Sequence, residues 1–271
     1  MNAGDYTDWA TRAFCYCEAA LLEEIATPSR LCITEELVRS AFVRGLAHTN
    51  PGESARLRTE EPAAFTSRAC WKDPAHGTSS GRPIAHDVAV VAGQDASGSL
   101  DAGMVAEVKW LKQNKAHEIG KDIWKLAFAR GTVGHQRATR TFLLVGGEAT
   151  SVTATLKSLL TAGLPLRWSK AGRRGGAPGP TTISLGAYRD TKPGRAAFDE
   201  LLGWGTAAHV REPPNCAWSL TVTRRTHWLR TLPGTAGSTS WRLVLWELTG
   251  FGTSGDTIDW PTTKANETFK C

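Results

Sequence analysis

From Asp8 to Ala26 the pattern predicts a helix, with Trp9, Ala13, Cys17, Ala20, Leu21 and Glu24 stepping at helical spacing before Pro28 interrupts. A second helix is expected from Thr34, a good N-cap residue, through Glu35–Leu46, with Val38, Phe42 and Leu46 as its inward stripe and Asn50-Pro51-Gly52 as its stop. Residues 50–83 are rich in Pro, Gly, Ser and charge around one apolar island, Ala63-Ala64-Phe65, and read as a long loop with room for a short element. Ile84–Val91 and Met104–Leu111 have the β-branched, apolar content of strands, and turn-forming residues Gly93–Ser99 between them predict a hairpin.

A helix is expected next over Ala116–Ala129, where Ile119, Ile123, Leu126 and Ala127 form an apolar stripe that stops at Gly131. Thr141–Gly146 reads as a buried strand and Val152–Leu160 as a helix. Beyond residue 164 the pattern predicts strands at Leu164–Trp168, Thr182–Ala187, Trp218–Thr223 and Arg242–Leu248, with a helix near Ala196–Leu202. This order of elements implies an α/β fold, a mixed β-sheet flanked by helices with a Trp-rich C-terminal part. The expected organisation is an N-terminal helix (1–29), a core (30–190) and a C-terminal α+β extension (191–271) that can belong to the same domain.

A chain of 271 residues can bury one large core without staples. No apolar stretch approaches the roughly 20 residues that span a bilayer, and the N-terminus lacks a secretion-signal profile, so a cytoplasmic location is expected. The six cysteines, Cys15, Cys17, Cys32, Cys70, Cys216 and Cys271, form no CxxC pair and read as free thiols. Net charge is +6, which favours polyanionic partners, and the basic residues concentrate in Lys109–Lys125 and in the Gly/Pro-flanked run Arg167–Arg174. Lys112, Arg173 and Arg174 in these runs are candidates for phosphate contact. Trp168, Trp204, Trp218, Trp228, Trp241 and Trp246 lie in the C-terminal half; beside Arg224, Arg225 and Arg230 they are either core rings or stacking platforms for bases.

The chemistry concentrates in the two central strands. Glu107 and Lys109 are two apart and share a face, whereas Ala106, Val108 and Trp110 line the other. Asp87 is the lone acid of the neighbouring strand and completes a cluster if it faces the same way across the hairpin. Such charges between apolar strands are costly unless something uses them. A divalent cation would: Asp87, Glu107 and the Val108 carbonyl are hard oxygen ligands suited to Mg²⁺ or Mn²⁺, and Lys109 could orient or deprotonate a water or stabilise developing charge. The bland alternative is a polar hairpin face on which Asp87 and Lys109 merely pair across strands.

An Asp on one strand followed by Glu-x-Lys on the next, with a helix before and after, resembles the PD-(D/E)XK, or restriction-endonuclease-like, nuclease superfamily over about residues 30–150. The resemblance implies that Asp87 and Glu107 bind Mg²⁺, that Lys109 serves the nucleophilic water, and that a Glu of the preceding helix joins the metal shell. Glu35 and Glu36 are the candidates for that Glu, and the phase of Val38, Phe42 and Leu46 favours Glu35. His86 stands where the family's Pro precedes the Asp. The following helix commonly supplies groups near the scissile phosphate, matched here by Gln113, Lys115, Lys121 and Lys125. The implied activity is hydrolysis of DNA, in a setting such as defence against foreign DNA, with a homodimer or an activating protein as compatible partners. A non-cleaving nucleic-acid-binding module of the same fold and an RNA- or structure-specific nuclease are the alternatives. The remaining histidines show no ligand spacing, Gly172–Gly179 lacks a phosphate-loop ending, and no G-x-S-x-G nucleophile motif occurs.

Overall fold

The computed structural model describes residues 3–26, 33–62, 85–94, 100–131, 140–164, 166, 180–205, 219–234 and 237–251. In chain order these form α1 (Ala3–Ala26), α2 (Glu35–Thr49), a 3₁₀ turn (Pro51–Arg56), β1 (Leu57–Pro62), β2 (Ala85–Gln94), β3 (Leu100–Leu111), α3 (Ala116–Gly131), β4 (Arg140–Glu148), α4 (Ala149–Thr161), β5 (Thr181–Ser184), α5 (Leu185–Arg189), α6 (Lys192–Gly205), β6 (Ser219–Gly234) and β7 (Gly237–Phe251). The strands make one seven-stranded sheet in the order β1-β2-β3-β4-β7-β6-β5. Only β3 and β4 run parallel; every other neighbouring pair is antiparallel. The protein is therefore an α/β structure on a mixed sheet, and its C-terminal hairpin is hydrogen-bonded to β4 in the same sheet.

Period-two alternation divides the core into two layers. On one face Met104, Ala106, Val108 and Trp110 of β3, with Phe142, Leu144, Leu243 and Leu245, pack against α1 and α2 through Trp9, Phe14, Leu21, Val38, Phe42 and Leu46. On the other, Val105, Leu111, Leu143, Val145, Val244 and Trp246 meet α3 and α4 through Ile119, Ile123, Trp124, Leu156 and Leu159. Full burial of each such side chain contributes about 1.5–3 kcal/mol, so both helical layers are held mainly by apolar area. The two N-terminal helices are further locked together because Trp9 Nε1 donates to the Leu46 carbonyl at 2.8 Å. Gly45 makes their close approach possible, since a Cβ there would lie 2.7 Å from the Ala13 carbonyl oxygen.

Where the structure departs from the pattern, local chemistry explains why. Of the strand expected over Leu164–Trp168, only Leu164 and Leu166 are among the described residues; both are buried outside any strand, and the Leu164 N–H caps α4 at the Leu159 carbonyl past Gly163, whose φ is 85°. The strand expected over Thr182–Ala187 stops at Ser184, whose hydroxyl accepts from the Ala187 N–H and starts α5. Part of the long loop is ordered as the 3₁₀ turn and β1, whereas the island Ala63-Ala64-Phe65 lies outside the described residues. The strands expected as short pieces at Trp218–Thr223 and Arg242–Leu248 fall, from Ser219 on in the first case, within the long pair β6 and β7, while Trp218 lies outside the described residues. Among the described residues Cys15 is an exposed and Cys17 a buried free thiol, and burial pushes the Cys17 thiol up to about 12. No helix among them is long and apolar enough to cross a membrane.

Candidate functional site

The site forms where β2 stops short of β3. Val88 lies opposite Ala106 as the last β2–β3 pair, while β3 continues to pair with β4 through Leu111. The far end of β3 thus has a strand on one side and a notch on the other. Alternate residues of a strand present both N–H and C=O to the same neighbour, so Val108 and Trp110 turn theirs into the notch. Buried donors of this kind need partners. Carboxylates supply them: Asp87 Oδ2 accepts from the Val108 N–H at 2.7 Å, and Glu35 Oε2 from the Trp110 N–H at 3.4 Å.

Two helices close the notch. Thr34 caps α2, its hydroxyl accepting from the Leu37 N–H, and this holds Glu35 in the first turn, where Oε1 meets Lys109 Nζ at 3.0 Å. Glu36 instead points outward and pairs with Arg39. From the other layer, α3 brings Asp122 and Lys125. Asp122 Oδ2 is 3.7 Å from Lys109 Nζ, and Lys125 Nζ forms an ion pair with Glu107 Oε2 at 2.5 Å. His86 Nδ1 sits 2.7 Å from Glu107 Oε1, and Arg39 reaches within 3.6 Å of Asp87 Oδ1. Asp87, Glu35, Glu107 and Lys109 therefore converge in one cluster. Asp87 engages Arg39 and the Val108 amide, so the simple Asp87–Lys109 cross-strand ion pair is not what the structure contains.

Glu107 is 0% exposed and Asp122 6%. Burial pushes the Glu107 carboxyl up to about 8 against the pull of Lys125, and Asp122 up to about 7 against Lys109 and Lys125. Burial acts on the lysines in the opposite sense, but it is outweighed. Asp122, Glu35 and Asp87 hold Lys109 above its ordinary range, and Glu107 and Asp122 do the same for Lys125. The surrounding carboxylates thus favour the charged form of both ammoniums, whereas burial works against ionisation of Glu107 and Asp122.

The donor set suits a hard divalent cation: carboxylates of Asp87, Glu107 and Asp122, the Val108 carbonyl turned into the same notch, and a buried Asp122 Oδ2 with no hydrogen-bond partner among the described residues. As placed, no three His, Cys, Asp or Glu side chains among the described residues form a metal cage. The ammonium groups of Lys109 and Lys125 lie among the carboxylates instead.

No family model, curated protein or solved structure matches this chain.

The residues expected to meet nucleic acid are dispersed. Lys112 and Gln113 are exposed just past the notch, at the end of β3. Lys115 pairs with Glu118, and Lys121 donates to Glu200 on α6 at 2.6 Å, where His117 also binds. Lys125 points inward, and Arg173 and Arg174 lie outside the described residues. Of the aromatic residues, Trp246 is core and Trp241 stacks on Trp110 at 5.7 Å on the α1/α2 face. Arg225 is held by the buried Glu247, which also binds Arg140 and Thr7, and Arg224 is buried. Trp168 and Trp218 fall outside the described residues, as do the side chains of Trp204, Trp228 and Arg230.

Asp122 and His86 are cluster residues to which the motif does not point, and Lys125, expected near the scissile phosphate, sits against Glu107. Asp122 had a signal: it lies three residues after Ile119 and four before Leu126, so an acid interrupts the apolar stripe of its helix, just as Asp87 interrupts its strand.

Proposed function

We propose that this protein is a Mg²⁺- or Mn²⁺-dependent nuclease that hydrolyses phosphodiester bonds of DNA. The observation that carries this reading is the convergence of Glu35, Asp87, Glu107 and Lys109 from α2, β2 and β3 at an unpaired strand end. Buried groups of opposite charge, some without hydrogen bonds, are a poor way to stabilise a sheet and a good way to prepare a charged reaction centre. Asp87, Glu107 and the Val108 carbonyl are the residues that would hold the ion, with Asp122 close by. When bound, the ion would neutralise charge on the phosphate and acidify a water.

The chain's own groups divide the remaining work. Lys109 is kept protonated by its carboxylate neighbours, which supports a role in orienting the attacking water and balancing charge at phosphorus rather than in taking a proton. Glu35, beside Lys109 and half-exposed, is the carboxylate placed to accept that proton. Attack of the water oxygen on phosphorus in line with the leaving oxygen breaks the P–O ester bond. Lys112 and Gln113 at the rim are available to contact the backbone. A role in defence against foreign DNA, and action as a dimer or with an activating protein, follow from the resemblance alone and belong to this proposal.

One observation favours a second reading, a nucleic-acid-binding module of nuclease-like form that does not cut: the carboxylates of the notch already have cationic neighbours within the chain. Incubation of supercoiled plasmid, single-stranded DNA and RNA with the protein in Mg²⁺, Mn²⁺ and EDTA separates these readings. Metal-dependent nicking or linearisation that EDTA stops is expected. Cutting of RNA only would reassign the substrate, and binding without cleavage in either metal would leave the second reading.

A further inference from the structure

Lys125 occupies the point at which the buried oxygens of the site converge. Its Nζ lies 2.5 Å from Glu107 Oε2 and 3.8 Å from Asp122 Oδ1, and it donates to the Ala85 carbonyl at 2.8 Å. Two carboxylates and a backbone carbonyl are what a hard cation would take. The ammonium serves them unevenly. Asp122 is beyond hydrogen-bond reach of both lysines, and its buried Oδ2 has no hydrogen-bond partner among the described residues. A desolvated carboxylate left in that state is unfavourable, so the site carries more anionic oxygen than its ammonium groups satisfy.

We propose that Lys125 is the resident counter-cation of the site, which a divalent ion displaces from Glu107 while Asp122 turns its free oxygen to the incoming ion. This rests on the cation-dependent reading of the cluster and names a residue that regulates it. Lys125 carries its ammonium on a flexible four-carbon stem, so the charge can shift by side-chain rotation alone. The consequence is a fold that keeps its buried carboxylates compensated without metal and binds the ion more weakly than the donor set alone would.

The test is Mn²⁺ binding to the full chain, followed by the loss of the free-ion electron paramagnetic resonance signal, with circular dichroism to check folding. Lys125→Met and Lys125→Gln remove the competing charge; Gln keeps a donor for the Ala85 carbonyl in case Met does not fold. Each is expected to tighten Mn²⁺ binding on the order of tenfold or more, as removal of a unit charge within about 4 Å implies. Asp122→Asn should weaken it, and Lys125→Arg should leave it near wild type. On the unaltered protein, Mn²⁺ should raise the acylation of Lys125 by an amine-reactive ester, read by mass spectrometry. If the wild type binds Mn²⁺ and cuts DNA, yet neither neutral variant binds more tightly and Lys125 stays protected, this inference falls and the nuclease reading stands. If the neutral variants gain Mn²⁺ binding while the wild type cuts nothing, the inference holds and the nuclease reading falls. Absence of Mn²⁺ binding in every form overturns both.

Discussion

Lys109 Nζ and Glu35 Oε1 meet at 3.0 Å although 74 residues separate them in the chain. The contact ties the first turn of α2 to the unpaired end of β3, and the second oxygen of Glu35 takes the Trp110 N–H. One side chain thus satisfies a strand donor and holds an ammonium. Cutting Lys109 back to Ala removes the charge but leaves every backbone bond of the notch in place. The expected outcome is a loss of cleavage of about 10²–10⁴-fold, the range typical of a positioned catalytic group, with DNA affinity in a gel-shift assay nearly unchanged.

Asp87→Asn separates the structural from the ionic duty of Asp87. The amide oxygen can still accept from the Val108 N–H, so the notch should stay closed and Tm should move little. The lost charge should weaken Mn²⁺ binding. Equal Mn²⁺ affinity in the two proteins, by calorimetry, would remove Asp87 from the ion-binding set.

The buried acids predict an unusual pH dependence. Asp122 and Glu107 have folded-state values of about 7 and about 8, above the ordinary 3.8 and 4.5. Over that interval the folded protein holds more protons than the unfolded chain. The stability they contribute is therefore fully present below the ordinary values and is lost as pH rises through 7 and 8. Without added metal, Tm should fall between about pH 5 and pH 8. Asp122→Asn should flatten that fall and raise Tm at the alkaline end by at least about 3 °C, which roughly 1 kcal/mol gives in a domain of this size. A variant with the same slope as the wild type would refute the burial argument for Asp122.

Gly147 secures the end of β3 from the opposite side. It pairs with Leu111, its φ is 144°, and a Cβ there would lie 2.2 Å from the Leu111 carbonyl oxygen. Gly147→Ala combines backbone strain with a clash against backbone, so a loss of about 2 kcal/mol or more in denaturant unfolding is expected. Because Leu111 lies two residues beyond Lys109, cleavage should fall with it.

Much of the site was legible because its residues break a regular pattern. Alternation along β3 separated Glu107 and Lys109 from Ala106, Val108 and Trp110, and those three line the α1/α2 core as expected. The stripe of α2 distinguished Glu35 from Glu36, since a helix with a side-chain cap has a definite phase. The notch was not legible. It exists because β2 stops pairing at Val88 while β4 accompanies β3 to Leu111, and such register depends on strands far apart in the chain. His86 and Lys125 joined the cluster for the same reason, and Lys121, four residues before Lys125, was drawn to Glu200 by the packing of α6 on α3. Insertion of β7 beside β4, although the whole stretch from Ala149 to Ala236 intervenes in the chain, likewise leaves no local signature.

Single-turnover cleavage of a labelled DNA duplex by the wild type, Glu107→Gln and Lys109→Ala, each with Mn²⁺ and with EDTA, tests the central claim most directly. The account predicts cutting by the wild type only, abolished by EDTA, while both variants remain folded and bind the duplex. Cleavage by all three at the same rate, or cleavage that persists in EDTA, would contradict it.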